Sequence, residues 1–257
     1  MPHCLLSAAP AGDTRPLLPE TFRGAAMPHH RMASGPLPPL PAGTGLFDGD
    51  GVERLRVTGR VWLPGGGPHA LACPLLTART AVPAGEARLH ARKEGRALAW
   101  ITLSDKGAQG LRDDASGPAI AAAVGEALPL CHAQGFLLPD DAPSLRTLLT
   151  ELALGQRYDL ICTSGGTGVG PRDITPQAVA PLLDRELPGF ATAMMVESLK
   201  KTPHAAISRA VCGIIGQSLV ITLPGSRKAV LENLAAVLPA LPHALDKLHG
   251  DPADCGG

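Results

Sequence analysis

The chain has 257 residues, with 23 Lys and Arg balancing 23 Asp and Glu, and aromatic residues make up only 3%. A neutral, aromatic-poor chain lacks both the basic footprint and the stacking platforms of a general nucleic-acid binder. No run approaches the ~18 apolar residues that span a bilayer, and no basic segment leads into a long apolar run as in a secretory signal.

The six cysteines, Cys4, Cys73, Cys131, Cys162, Cys212 and Cys255, are scattered and form neither a CxxC pair nor a zinc spacing. They read as reduced thiols, which fits a cytoplasmic protein.

Half of the 26 prolines precede Lys93. Residues 1–45 read as a Pro/Gly/Ala-rich coil or disordered extension, clearest at Pro36-Leu37-Pro38-Pro39-Leu40-Pro41. Such a segment buries too little apolar surface to offset its ordering entropy, so it is expected to be dispensable. Met27 and Met32 are alternative starts. Residues 46–93 differ: Val52–Val61, Leu71–Leu76 and Val82–Leu89 are extended apolar pieces, the first two separated by Pro64-Gly65-Gly66-Gly67-Pro68. This predicts a small β-rich module of unknown role.

From Ala97 the pattern alternates between strand and helix. Ala97–Leu103 is an apolar strand. Ser116-Gly117-Pro118 opens an Ala-rich helix to about Leu128, with Ser116 as its cap. Gly135–Leu138 is a second strand, and Asp141 or Ala142 starts a helix with Leu145, Leu148, Leu149 and Leu152 on one face. Tyr158–Thr163 is a third strand. Helices follow at Thr175–Leu183 and Gly189–Lys200. Val211–Ile215 and Ser218–Leu223 form a hairpin through Gly216-Gln217, and a long helix runs over Arg227–Lys247. The expected fold over residues 95–250 is α/β: three layers, α/β/α, with a mostly parallel sheet.

The chemistry concentrates where strands end. Thr163-Ser164-Gly165-Gly166-Thr167-Gly168 follows a buried strand. Its glycines let backbone N–H groups approach an anion, and its hydroxyls add neutral donors. It lacks the GK[ST] ending of a Walker loop. Five residues on, Asp173 lies in Arg172-Asp173-Ile174-Thr175-Pro176. Beside a phosphate, its carboxylate needs a cation between them or acts as an acceptor for substrate; a surface pair with Arg172 is the plainer alternative. Asp140, after another strand, would face the same crevice. Two carboxylates with Mg²⁺ suit phosphoryl or nucleotidyl transfer, which depends on positioning and charge neutralisation. Ser104-Asp105 is a third loop on this edge, or an ordinary turn. Ser208-Arg209 supplies a hydroxyl and a fork for phosphate or carboxylate, or a structural ion pair. Pro224-Gly225-Ser226 precedes a helix whose free N–H groups suit an anion. The histidines, His204 included, read as surface or core residues.

Taken in order, Ser104-Asp105 with Gly110 and Asp114, Pro139-Asp140, Thr163–Gly168, Arg172–Pro176, Pro188-Gly189-Phe190, Ser208-Arg209 and Leu223–Ser226 resemble the MogA/MoaB family over residues 97–249. Its relatives include domains of gephyrin and of the plant cofactor-assembly protein. The resemblance implies a molybdopterin-binding α/β fold, usually a homotrimer. It implies transfer of AMP from ATP to molybdopterin with Mg²⁺, releasing pyrophosphate, and handover to a molybdenum-insertion protein. Asp140 and Asp173 match the family's functional aspartates, and the resemblance implies that they are its magnesium ligands. Ser104, Asp105, Thr163–Gly168, Ser208, Arg209, Pro224, Gly225 and Ser226 match substrate contacts. The alternatives are a non-catalytic molybdopterin carrier, or a competence-damage-type relative that binds ATP alone.

Overall fold

The computed structural model describes residues 3–19, 22, 30–32, 39–65 and 69–252. It divides into two compact units, residues 1–95 and residues 96–257. Met27, Pro36–Pro38, Gly66–Pro68 and Cys255 lie outside the described residues.

The first unit is all β: β1 (His3–Leu6), β2 (Thr14–Leu18), β3 (His30–Met32), β4 (Gly45–Phe47), β5 (Glu53–Pro64), β6 (Ala70–Ala78), β7 (Gly85–Arg88) and β8 (His90–Arg92). Their order is β7-β1-β3-β2-β6-β5-β4-β8. The two end strands are joined in sequence by a single residue, fully buried Leu89. β7 pairs with β1 and β8 pairs with β4, so among the described residues one extended run pairs with both ends of the sheet. Cys4, Leu6, Leu17, Leu46, Leu55, Val57, Leu76 and Leu89 form the core.

This corrects the expectation of a coil over residues 1–45. Proline content argued for coil, yet Cys4, Leu6, Leu17 and Leu18 are all buried. Pro16 is tolerated because β2 pairs with β6 over Thr14–Pro16 but with β3 only over Leu17–Leu18. A proline with one laddered side does not interrupt a sheet.

The second unit contains β9 (Arg96–Leu103), α1 (Asp105–Ala108), α2 (Ser116–Ala127), β10 (Leu130–Leu138), α3 (Ala142–Thr150), β11 (Leu160–Ser164), α4 (Thr175–Val179), β12 (Arg185–Glu186), α5 (Pro188–Leu199), β13 (Cys212–Ile215), β14 (Ser218–Leu223), α6 (Arg227–Val237) and α7 (Leu241–Leu248). The sheet order is β10-β9-β11-β14-β13-β12. The first four strands are parallel; β13 and β12 add an antiparallel edge. Register places Leu98, Leu160 and Leu219 side by side. They pack with Ile120 of α2, Met194 of α5, and Val230 and Leu234 of α6. Alternate residues Ile101, Ile161 and Val220 are fully buried on the opposite face. The paired helices α3 and α4, with buried Leu145 and Leu149, form the second helical layer. This is the expected α/β/α architecture.

Local differences have local causes. Asp114, not Ser116, caps α2: its Oδ1 accepts from Ser116 N (3.0 Å) and Gly117 N (2.9 Å). Thr175 makes no capping bond to α4. That helix becomes a 3₁₀ turn over Ala180–Leu182, where Pro181 lacks an N–H. The expected long C-terminal helix is broken at Leu238–Ala240, because Pro239 and Pro242 withhold two N–H groups from the ladder. Among the described residues no helix is long and apolar enough to cross a membrane.

Candidate active site

Four parallel strands end on one edge, and the loops that follow them converge there. After β11 the chain turns through Gly165 (φ +106°) and Gly166 (φ +66°), backbone conformations that L side chains rarely adopt. There is also no room: a Cβ on Gly165 would lie 2.7 Å from Leu103 O, and one on Gly166 would lie 2.5 Å from Thr175 Oγ1. Thr175 fixes the turn instead of capping a helix. Its Oγ1 donates to Gly165 O (2.7 Å), and its N–H donates to Gly166 O (3.0 Å). Ser164 Oγ donates to Pro224 O (3.2 Å), and Ser116 Oγ donates to Gly225 O (3.1 Å). The loop after β14 is thus tied by hydroxyls to the end of β11 and to the start of α2.

Arg209 is a brace. Its Nε donates to Gly168 O (2.7 Å), its Nη2 to Asp173 O (2.7 Å) and its backbone N–H to Thr167 O (2.9 Å). The guanidinium fork, expected to hold a phosphate or a carboxylate, holds the loop that carries Asp173. Asp173 Oδ2 also accepts from Gly170 N (2.7 Å). Across the cleft, Asp105 Oδ1 accepts from Asp140 N (3.1 Å), and Asp105 pairs with Arg172. The simple Arg172–Asp173 pair is therefore not what forms. Burial, and then the negative charge of Asp173, push the Asp140 carboxyl above the ordinary carboxylate range. The two aspartates singled out from sequence are therefore near enough for the charge of one to act on the other.

The loops open onto a cavity of about 660 Å³, within the usual range for a small-molecule site. Gly166, Thr167, Gly168, Asp173, Ser208, Pro224 and Gly225 line one side. Met194, Ser198, Thr202, His204, Glu232 and Asn233 are among those lining the rest. A second hollow of about 390 Å³ is bounded by Ala142, Gly170, Ile174, Gln177, Arg209 and again Asp173.

Other expected ligands serve the framework. Thr163 is 0% exposed and inside the sheet, so its hydroxyl does not reach either hollow. Ser104 Oγ caps α1 by accepting from Gly107 N (3.1 Å), and Ser226 Oγ caps α6 by accepting from Ala229 N (3.3 Å). Ser198, Glu232 and Asn233 were not foreseen on the cavity wall. The i, i+3, i+4 spacing of Ala229, Glu232 and Asn233 was the available signal for the α6 contribution. His204 lines the cavity, although its sequence context suggested only surface or core.

Fold and site together define an α/β protein whose glycine-rich loops line a cavity at the carboxyl edge of its parallel strands. Residues 99–243 match the family described as probable molybdopterin binding domain, and the chain belongs to that family. It is 39% identical over 182 residues to gephyrin of Dictyostelium discoideum, an alignment covering 67% of this chain and 25% of gephyrin. It is 37% identical over 153 residues to molybdopterin adenylyltransferase of Helicobacter pylori, covering 59% of this chain and 86% of that protein. The crystal structure of the molybdopterin biosynthesis enzyme MoaB from Thermus thermophilus superposes with a TM-score of 0.56 at 43% identity, covering 62% of this chain and 99% of that one. The chain thus spans about a quarter of the gephyrin relative and most of the single-domain ones.

Proposed function

We propose that the protein serves molybdenum cofactor biosynthesis by transferring AMP from ATP to the terminal phosphate of molybdopterin, releasing pyrophosphate. The observation that carries this reading is the position of Asp173, on the wall shared by the 660 Å³ cavity and the shallower hollow. A pterin in the first and a nucleotide in the second would meet beside it. The Helicobacter pylori adenylyltransferase, matched over most of its length, supports the same chemistry.

Each part of the chain then has a task. The Gly165–Gly168 backbone and the Thr167 hydroxyl hold the pterin phosphate. Arg209 fixes the loop, so donors are in place before charge develops. The terminal phosphate oxygen of molybdopterin attacks the α-phosphorus of ATP, and the bond to pyrophosphate breaks in line. Asp105, bonded to Asp140 N and paired with Arg172, orients the second carboxylate.

Magnesium fits this site. Among the described residues no cluster of three or more His, Cys, Asp or Glu could hold a metal by itself. Asp140 and Asp173 supply two carboxylates, and Mg²⁺ is commonly held by one or two carboxylates with substrate phosphates and water. When bound, Mg²⁺ offsets the charge of the phosphates. The like-charge pressure on Asp140 is what a cation between the two carboxylates would relieve.

Pyrophosphate release from purified protein given molybdopterin and Mg-ATP tests the proposal, with ATP-only and Asp173→Ala controls. Release that requires both molybdopterin and Asp173 is expected. Bound molybdopterin without release would show a carrier instead, and ATP binding without molybdopterin binding would show a diverged nucleotide-binding relative.

A further inference from the structure

The wall of the 660 Å³ cavity opposite the loops carries polar groups that AMP transfer does not use. Glu232 and Asn233 of α6 lie beside Ser198 of α5 on a surface otherwise rich in Met194, Met195, Val196 and Ile207. Asn233 is buried and fixed: its Nδ2 donates to Ser198 Oγ (3.0 Å) and to Ala229 O (2.8 Å). Because Ser198 Oγ accepts from Asn233, the Ser198 proton is left to donate into the cavity. Glu232 is half-buried, and no described residue bonds to its carboxylate or pairs with it. Among the described residues no Lys or Arg lines the cavity. A carboxylate on a cavity wall can accept from donors that a ligand brings. At 1.5 Å per residue, Glu232 sits about 7.5 Å along α6 from its first residue, Arg227, which follows the Pro224-Gly225 turn. The glycine-rich loops and Glu232 are thus separate parts of the wall of one cavity.

We propose that Glu232, with Ser198, reads the pyrimidine edge of the pterin and sets its specificity, an inference that rests on the molybdopterin reading above. A 2-amino-4-oxopyrimidine edge presents two adjacent donors, the exocyclic N–H and N3–H, followed by the C4 carbonyl acceptor. Ionised Glu232 offers two coplanar acceptors, and the Ser198 hydroxyl offers the donor. The match selects against near relatives. A 2-oxo ring turns carbonyl lone pairs toward the carboxylate. Adenine offers one donor beside an acceptor nitrogen, so the same edge also keeps the nucleotide out of the pterin's place.

The test is fluorescence titration of the full chain with 6-hydroxymethylpterin and with its 2-oxo counterpart, 6-hydroxymethyllumazine. Wild type, Glu232→Gln and Glu232→Ala are compared, with KM for ATP measured in parallel. Wild type is expected to prefer the pterin by about ten- to hundredfold, the range of a charge-assisted pair. In Glu232→Gln the amide N–H donates to the C2 carbonyl while its oxygen accepts from N3–H, so the preference reverses toward lumazine. Glu232→Ala loses preference in either direction, and KM for ATP is unchanged in both variants. An unaltered pterin preference in Glu232→Gln, with wild type binding pterin normally, overturns the assignment of Glu232 alone. Failure of wild type to bind either ring overturns the molybdopterin reading and this inference together.

Discussion

Asp140 stands on the loop after β10 with its carboxyl partly withdrawn from water and facing the charge of Asp173, and both effects raise its pKa. The folded protein therefore holds that proton more tightly than the unfolded chain does. The resulting loss of stability is absent below the ordinary value of 3.8; it grows as pH rises from there and is complete above the raised pKa. Asp140→Asn removes it, so the variant should melt higher at neutral pH, an advantage that disappears in acid. The same substitution should abolish pyrophosphate release. Calorimetry beside the release assay checks both, and an Asp140→Asn variant that is active, or less stable at pH 7, contradicts this account. In wild type the acid limb of the rate profile should lie above the range of a free aspartate, since Asp140 must ionise to act. Arg209 makes a different prediction, because its value is geometric. Lysine keeps the charge but cannot bridge Gly168 O and Asp173 O at once. Arg209→Lys should lower kcat by roughly tenfold or more, as misplaced reacting groups do, with ATP still bound. Unchanged kcat would show that the brace Arg209 makes to Gly168 O and Asp173 O is not needed for turnover.

At the scale of elements, the site was legible wherever it is local. Strand, glycine-rich turn and following helix are contiguous in Leu160–Val179, so the loop could be read from spacing alone. Thr175 shows the limit of that reading. Its position before Pro176 suggests a helix cap, but the sharp turn at Gly165 and Gly166 puts Gly165 O in reach of its hydroxyl, and that bond depends on tertiary geometry. Ser198, Glu232 and Asn233 were missed for a similar reason: periodicity shows α6 to be amphipathic, but only its packing on α5 decides which polar residues face the cavity. The loop itself should tolerate little change. Alanine at Gly166 faces both a positive φ and Thr175 Oγ1 at 2.5 Å. Gly166→Ala should cost roughly 1–3 kcal/mol and most of the activity, measurable by urea denaturation and turnover. A stable, active Gly166→Ala would mean that the turn relaxes without disturbing the site.

At the scale of the whole molecule, the first unit was the least legible part, because its pairings are distant in sequence. Cys4 lies opposite Ala87, and Gly45 lies opposite Arg92. Four-residue strands rich in proline and glycine neighbours carry little periodicity of their own. Their structure nevertheless decides how the protein can be cut. Deleting residues 1–45 removes β1, β2 and β3 and exposes the buried faces of Leu55, Val57 and Leu76, so that truncation should aggregate rather than prove dispensable. Cutting at the boundary between the units is different. Residues 96–257 contain the complete six-stranded sheet, its core and every residue assigned to the site, and the Thermus thermophilus protein matches 62% of this chain over 99% of its own length. A protein starting at Arg96 should therefore fold cooperatively and retain molybdopterin-dependent pyrophosphate release within a few-fold of the full chain. Size-exclusion chromatography and the release assay on the two truncations separate the cases. If the shorter protein is folded but inactive, the first unit contributes to catalysis; if the 1–45 deletion is soluble and active, the β1–β3 pairings are not what holds that unit together.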